Sequence, residues 1–392
     1  MTGSIRPVEI KALAGVRALP PLLLVLYHYC EGHGYRHAPW FDLVVGKGYL
    51  WVEFFFALSG FILIHVYGTE ADRFRPMAPD NAYWSFLRNR LIRLYPLHLF
   101  TLFCILALVG TLNQLSYMHG YVSIYNGPWP PMHTASSFIA SIFLVQGWNL
   151  FPWLAWNEAS WFVSAEFFLC LCFPLYVLWA KDRPTGNLWR GFLLLILAIS
   201  ALARLSVSNK HGLDLTFHNG VLRGIADFAA GTALAMLYRE AHKRGAGRLS
   251  EWVFTVAQLV SLSLLLWSFY GITWAHGADD YKIAGALFLF IFVLSFDRGI
   301  LALFFKSALL RKLGEWSYAI YMGQTFCLHL FRYFSQKVYP PGETILFGQR
   351  FGDILWRAEP LMLLITCILW GALLYYFVEV PATGALKRLF TR

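Results

Sequence analysis

Apolar residues along the chain are gathered into eleven stretches, which polar loops separate. They run near residues 12–30, 49–68, 91–112, 135–148, 159–180, 191–207, 221–238, 252–271, 282–296, 313–331 and 359–379. A helix needs about 20 apolar residues to cross the hydrocarbon core of a membrane. The stretch at 135–148 is too short and has no basic flank, so it predicts an interfacial or re-entrant helix. The other ten stretches predict transmembrane helices.

Composition supports an all-α, polytopic membrane architecture. Of the 392 residues, 58% are hydrophobic and only 14% are charged, whereas a soluble globular domain carries about 25% charged residues. The net charge of +10 is explained by basic loops on the cytosolic side of a membrane. We therefore expect membrane lipid, and no nucleic acid, as a partner.

The positions of lysine and arginine predict the topology. Basic clusters lie at residues 6–17, 73–93, 181–190, 243–248, 306–312 and 387–392, and none occurs between 94 and 180. Because cytosolic loops carry an excess of Lys and Arg, each cluster marks the cytosolic side. The result is about ten spans with both termini in the cytosol. We expect one membrane-embedded domain over residues 1–392, with no appended soluble domain.

The six cysteines lie in or beside apolar stretches and show no metal-ligand spacing. Free cysteines in such positions are ordinarily small buried hydrophobic residues. The sequence therefore predicts no metal site.

The first apolar stretch contains two ionisable residues, Arg17 and His28. A central arginine costs about 2.5–3.5 kcal/mol on membrane-insertion scales, which favours a function for it. The two residues are separated by roughly 16 Å along a helix, and Pro20 and Pro21 predict a kink or a new helix start. Arg17 is either a snorkelling residue at the cytosolic end or an anion contact. His28 is either an interfacial polar residue or a catalytic base.

Two carboxylates lie in the outer halves of later spans. Glu53 is near the outer end of the second span, where an antiparallel neighbour reaches the depth of His28. A carboxylate beside an imidazole raises its basicity, as in a general base. Glu166 is the second carboxylate, and Arg223 is its expected partner, either in a structural buried pair or in a site.

At the cytosolic boundary, Arg90 and Arg93 are three residues apart and share a helix face. They are either a positive-inside anchor or a clamp for the phosphates of a cytosolic cofactor, because the guanidinium fork matches phosphate oxygens. Ser317, Tyr318 and Tyr321 lie in the cytosolic half of a later span.

Aromatic residues are concentrated in the outer segment 113–161. They include Trp129, Trp153, Trp156 and Trp161. This enrichment is either the aromatic belt of a membrane protein or a platform on which sugar rings stack.

In register along the chain, seven short blocks resemble the acyltransferase 3 family of bacterial membrane proteins. The matching residues are Arg17 with His28, Glu53 through Gly60, Arg90 with Arg93 and Pro96, Trp161 through Glu166, Arg223 with Gly231, Ser317 with Tyr318 and Tyr321, and Glu379 with Pro381. Glu53 stands where the family usually has Asp. Gln324 stands where the family usually has His, so we assign Gln324 no role in proton transfer.

The resemblance implies a membrane-bound O-acyltransferase of the bacterial inner membrane. It would transfer an acyl group, most often acetyl, from cytosolic acetyl-CoA to a hydroxyl of an extracytoplasmic or lipid-linked polysaccharide or oligosaccharide. Polysaccharide-assembly proteins are expected partners. Acetyl-CoA would be bound by Arg17, Arg90, Arg93, Ser317, Tyr318 and Tyr321. The glycan would be bound by Trp129, Trp153, Trp156, Trp161 and Arg223.

Two mechanisms stay open at this stage. His28, oriented by Glu53, would remove the hydroxyl proton, or it would carry the acyl group covalently. Glu166 would bind the acceptor or shape the cavity. The alternative to an enzyme is a transporter that exports a lipid-linked sugar, since intramembrane charges suit that function too.

Overall fold

A computed structural model describes residues 9–33, 45–78, 81–118, 132–270, 277–338, 345–346 and 349–390. The helices up to residue 179 are α1 (Lys11–Val16), α2 (Leu19–His33), α3 (Trp51–Tyr67), α4 (Tyr83–Met118), α5 (Ala135–Ile142), α6 (Trp161–Leu171) and α7 (Phe173–Trp179). Those that follow are α8 (Asn187–Ser208), α9 (Gly220–Lys243), α10 (Glu251–Phe269), α11 (Asp280–Leu294), α12 (Ile300–Phe305), α13 (Ala308–Val338), α14 (Phe351–Leu374) and α15 (Val380–Phe390).

Short elements join these helices. The 3₁₀ turns are Gly48–Leu50, Gly68–Phe74, Glu158–Ser160 and Ala246–Arg248, and the π-helical turn Tyr375–Glu379 connects α14 to α15. Strands β1 (Ile345–Leu346) and β2 (Gln349–Arg350) pair antiparallel. Apart from this two-residue ladder, the predicted all-α architecture is confirmed for the described residues.

Seven helical segments in the described part of the chain are long and apolar enough to cross a membrane, or eight if the bent pair α6–α7 is one span. Two of the predicted spans are not in this group. Helix α11 has only 15 residues, and α13 is too polar. Ten spans are therefore not confirmed. Helix α5 has eight residues and is about 12 Å long, so it is a short extra helix within the stretch that we predicted not to span.

Ion pairs bring three basic loops together at one end of the bundle. Lys181 lies 2.7 Å from Asp72, and Lys243 lies 3.1 Å from Asp182. These contacts join the segments that follow α3, α7 and α9. We call this the basic end. Its common location agrees with the charge-based topology, while the side of the membrane that it faces stays a prediction.

The chain breaks between α1 and α2 at Arg17, close to the kink that the two prolines predict. Pro20 and Pro21 occupy the first turn of α2, where a backbone N–H has no intrahelical partner to lose. The Ala18 N–H bonds to the Gly15 carbonyl at 3.1 Å and closes the end of α1. Arg17 is therefore held half-buried at the junction of two helices.

Helices α3 and α9 form the buried centre of the bundle, and they cross with their backbones in contact. A Cβ added at Gly231 would lie 1.9 Å from the Ala57 carbonyl oxygen, and one at Gly60 would lie 2.4 Å from that of Phe228. Small residues allow this approach where helices pack in membranes. By contrast, α8 and α10 expose most of their apolar side chains on the outside of the bundle.

We expect Gly231→Ala to lower the free energy of unfolding by about 1–3 kcal/mol, because the added methyl group overlaps the α3 backbone. Gly285→Ala is the matched control, since a Cβ there has no neighbouring atom within 4 Å. Thermal unfolding of both variants in detergent measures the difference. A Gly231→Ala protein with the wild-type Tm would contradict the tight crossing.

Candidate functional site

A series of adjoining cavities runs through the bundle towards His28. The entrance cavity, about 670 Å³, is lined by residues of four of the basic sequence clusters, Arg17, Arg93, Arg311 and Lys387, and it shares Arg17 and Arg93 with an inner cavity of about 80 Å³. The inner cavity shares Tyr321 with an outer cavity of about 50 Å³, which contains His28. A vestibule of about 170 Å³ adjoins the outer cavity and shares His28 and Glu158 with it.

The inner cavity brings together seven of the site residues predicted from the sequence. They are Arg17, Arg90, Arg93, Glu166, Ser317, Tyr318 and Tyr321. Apolar side chains of α3 and α4, among them Leu58, Ile62 and Leu94, complete the wall. The cavity therefore combines guanidinium groups with an apolar lining, which suits a polyanion that carries a less polar arm.

The three arginines have no direct carboxylate partner, although Glu166 and Glu379 lie near enough to attract Arg17. Within the described part of the chain, the side chains of Arg17, Arg90 and Arg93 make no hydrogen bond and no ion pair. Arg90 only places its guanidinium over the Phe86 ring, with 5.7 Å between them. Arginines of structural ion pairs have carboxylate partners, so these three point to an external anion.

Hydrogen bonds fix the polar residues around the arginines. The Tyr318 hydroxyl donates to the Leu94 carbonyl at 2.8 Å, which ties α13 to α4. The Ser59 hydroxyl donates to the Glu166 carboxylate at 3.2 Å, which ties α3 to α6. These hydrogen bonds hold together the helices that form the walls of the inner cavity before any ligand binds.

The sequence-based pairing of Glu53 with His28 is wrong, and so is that of Glu166 with Arg223. Arg223 binds Glu53 through Nε at 2.8 Å and Nη2 at 2.5 Å, and both side chains are fully buried. The reason is the glycine crossing, which sets the first turn of α9 beside the first turn of α3. His28 instead has its Nδ1 3.5 Å from the carboxylate of Glu31, one turn further along α2.

The four tryptophans predicted to bind the glycan lie in different surroundings. Trp161 lines the outer cavity, and the Arg223 guanidinium lies 5.8 Å from its ring centre. Trp153 is half-buried and does not line that cavity. Trp129 lies outside the described residues.

A stacking role for Trp156 stays a prediction, and this residue, unlike Trp161, does not line the outer cavity. Its indole N–H donates to the Thr134 carbonyl at 3.2 Å, and its ring packs edge-on against His133 in a separate apolar cluster. Burial, with a smaller repulsion from His329, lowers the pKa of His133 to about 4. Trp156 therefore anchors the loop before α5.

The structure adds site features that sequence reasoning missed. Glu31 follows His28 by three residues, a spacing that places both on one helix face and could have indicated the pair. Lys47, Tyr49 and Asp280 form a buried cluster with contacts of 2.7–2.9 Å. It braces Tyr49, which lines the outer cavity, but Asp280 is too far from Lys47 and Tyr49 in sequence for a pattern to reveal the cluster.

Comparisons with known proteins agree with the resemblance carried by the motifs. A family model described as an acyltransferase domain matches residues 10–376. The chain is 25% identical to Acyltransferase MdmB of Streptomyces mycarofaciens over 407 residues, which cover 98% of this chain and 94% of that protein. No solved structure matches the chain.

We expect Glu53→Gln to lower the free energy of unfolding by about 3–5 kcal/mol, because it leaves the buried Arg223 charge without its counter-ion. Glu70→Gln is the matched control at the surface, where the 2.6 Å pair with Arg73 contributes at most about 1 kcal/mol. Denaturant unfolding compares the two losses. Losses of equal size would contradict a buried ion pair at the α3–α9 crossing.

Proposed function

This chain belongs to the acyltransferase domain family, and we propose that it transfers an acyl group, acetyl in the first instance, from acyl-CoA to a hydroxyl of an extracytoplasmic or lipid-linked glycan. The observation that carries the proposal is a set of three arginines, Arg17, Arg90 and Arg93, which we call the arginine trio. Their side chains have no hydrogen-bond or ion-pair partner among the described residues, and they lie at the start of a cavity series that leads to His28. Acyl-CoA combines phosphates with a long, weakly polar thioester arm. The arginines match the phosphates, and the apolar lining of the inner cavity matches the thioester arm.

The donor would bind from the basic end, which we propose faces the cytosol of a bacterial inner membrane. The entrance cavity of about 670 Å³ offers space for the nucleotide portion. Arg17 and Arg93 lie between this cavity and the inner cavity, and Arg90 lies beside them. Bidentate contacts with phosphates would place the pantetheine arm in the inner cavity, with the thioester near Tyr321.

The acceptor would arrive from the vestibule, which contains His28. Glu31 near Nδ1 favours the tautomer that carries a proton on Nδ1, which leaves Nε2 free to accept one. In the proposed step, Nε2 takes the hydroxyl proton while the oxygen attacks the acyl carbon. The C–O bond forms, the C–S bond breaks, and the coenzyme A thiolate receives the proton from His28.

The other predicted residues have supporting parts in this proposal. Glu53 would act through Arg223 by holding it against the outer cavity. Glu166, on the wall of the inner cavity, would shape the space for the thioester arm. Trp161 would present its ring to the glycan. Transfer through a covalent acyl-His28 intermediate uses the same residues and remains the second form of the mechanism.

Family membership favours acyl transfer over export of a lipid-linked sugar. We propose polysaccharide-assembly proteins as partners that supply the glycan.

We expect His28→Ala to reduce kcat by about 10²–10⁴-fold, the usual contribution of a general base. The assay places the purified protein in nanodiscs with radiolabelled acetyl-CoA and glycan extracted from a deletion strain, and mass spectrometry locates the acetyl group. His218→Ala is the matched control, since His218 is exposed and lines none of the described cavities. Wild-type turnover by His28→Ala would exclude His28 as the base.

We expect Arg90→Gln and Arg93→Gln to raise the KM for acetyl-CoA by about 10–100-fold each, because a hydrogen bond between charged groups contributes about 1.5–3 kcal/mol. The effect should shrink at high salt, which screens exposed phosphate contacts. Arg88→Gln is the control on the same helix, since Arg88 is exposed, donates to the Phe390 carbonyl and does not line the inner cavity. An unchanged KM in the first two variants would remove the phosphate clamp.

A further inference from the structure

The outer cavity contains a polar side chain to which the proposed reaction assigns no part, that of Gln324. Gln324 is 1% exposed. Neither its amide nitrogen nor its amide oxygen has a hydrogen-bond partner among the described residues. A buried amide without partners destabilises the folded protein, so its presence in the wall of a cavity points to a ligand.

The position of Gln324 along α13 is informative. Ser317, Tyr318 and Tyr321 line the inner cavity, whereas Tyr321, Gln324 and Thr325 line the outer cavity. Residues three and four apart share a helix face. Gln324 is therefore one turn beyond Tyr321 on the same helix face, and it lines the outer cavity together with His28.

Tyr321 belongs to an aromatic partition between the two cavities. Its ring centre lies 6.0 Å from that of Phe55 and 5.5 Å from that of Phe162, and those two rings are 5.8 Å apart. An acyl carbonyl that passes this partition leaves an apolar surface. The amide of Gln324 is one turn further along the same helix face.

The strongest hydrogen-bond donor in the outer cavity is Arg223, and its N–H groups already bind protein acceptors. Arg223 uses Nε and Nη2 for Glu53, Nη2 again for the Tyr49 carbonyl at 2.8 Å, and Nη1 for the Leu215 carbonyl at 3.2 Å. The Gln324 amide, in contrast, is a buried donor without a partner among the described residues, and it shares this cavity with His28.

We propose that the Gln324 amide N–H donates a hydrogen bond to the carbonyl oxygen of the acyl group as the acceptor hydroxyl attacks. Negative charge grows on that oxygen while His28 takes the hydroxyl proton, and it is lost again when the C–S bond breaks. A fixed donor at this position stabilises the charge as it develops. This inference rests on the proposed function and adds a group that acts on the carbonyl.

Stability gives a test that is independent of acyl transfer. Gln324→Met keeps the length of the side chain and removes the unsatisfied amide, so we expect Tm to rise by about 1–3 °C. If the Gln324 amide instead supported the fold, Gln324→Met would lower Tm. A lower Tm for Gln324→Met would overturn the assignment of Gln324 as a ligand contact.

Kinetics with acetyl-CoA and the extracted glycan test the role itself. We expect Gln324→Met, which lacks the donor, to reduce kcat by about 10²–10³-fold and to leave the KM for acetyl-CoA within about twofold. Gln324→His restores an N–H donor and should recover most of the lost turnover. Gln114→Met, at an exposed position on α4, is the matched control and should behave as the wild type.

The outcomes separate the two proposals. If the wild-type protein transfers no acetyl group, the proposed function fails, and the carbonyl role fails with it. If the wild type transfers acetyl and Gln324→Met has an unchanged kcat, only the role of Gln324 is overturned. A lower kcat that Gln324→His fails to recover would likewise overturn the hydrogen-bond role alone.

Discussion

The buried ion pair between Glu53 and Arg223 is the contact on which the rest of the site depends. Removing two charges from water is costly, and their attraction compensates only when the geometry is good and further hydrogen bonds are made. The close α3–α9 crossing at Gly60 and Gly231 supplies that geometry. Arg223 then also binds the Tyr49 carbonyl at the start of α3. Because α3 lines both the inner and the outer cavity, this single contact fixes the walls of both.

Ionisable residues inside a membrane bundle are expensive and are therefore directed into cavities or paired. Both solutions occur here. The Glu53–Arg223 pair stabilises the fold, whereas the arginine trio and His28 line cavities at opposite ends of one series. Helices α3 and α13 and the segment that runs into α6 line both of the central cavities along their length. A substrate that moves along this series would therefore meet new residues of the same helices.

The apolar pattern predicted where the helices lie, because it depends on neighbours within one helix, and the family resemblance named the residues that line the inner cavity. Neither could predict how α3 and α9 are aligned, since that depends on glycines 171 positions apart in the sequence whose role appears only when the backbones touch. The pairing of Glu53 therefore came out wrong. A related restriction applies to Trp156, because aromatic enrichment in an outer loop does not distinguish a ring facing a cavity from one that anchors the loop.

The aromatic partition limits what the cavity series can pass. Phe55, Phe162 and Tyr321 separate the arginine trio from His28. A charged group that leaves water for such an apolar surface pays a large desolvation cost, whereas a neutral thioester pays little. The phosphates of a donor would therefore stay with the arginines while its acyl end reaches the imidazole. A transporter of a lipid-linked sugar would need a polar path at this depth. The three rings instead fit the transfer of a small neutral group between substrates held on opposite sides.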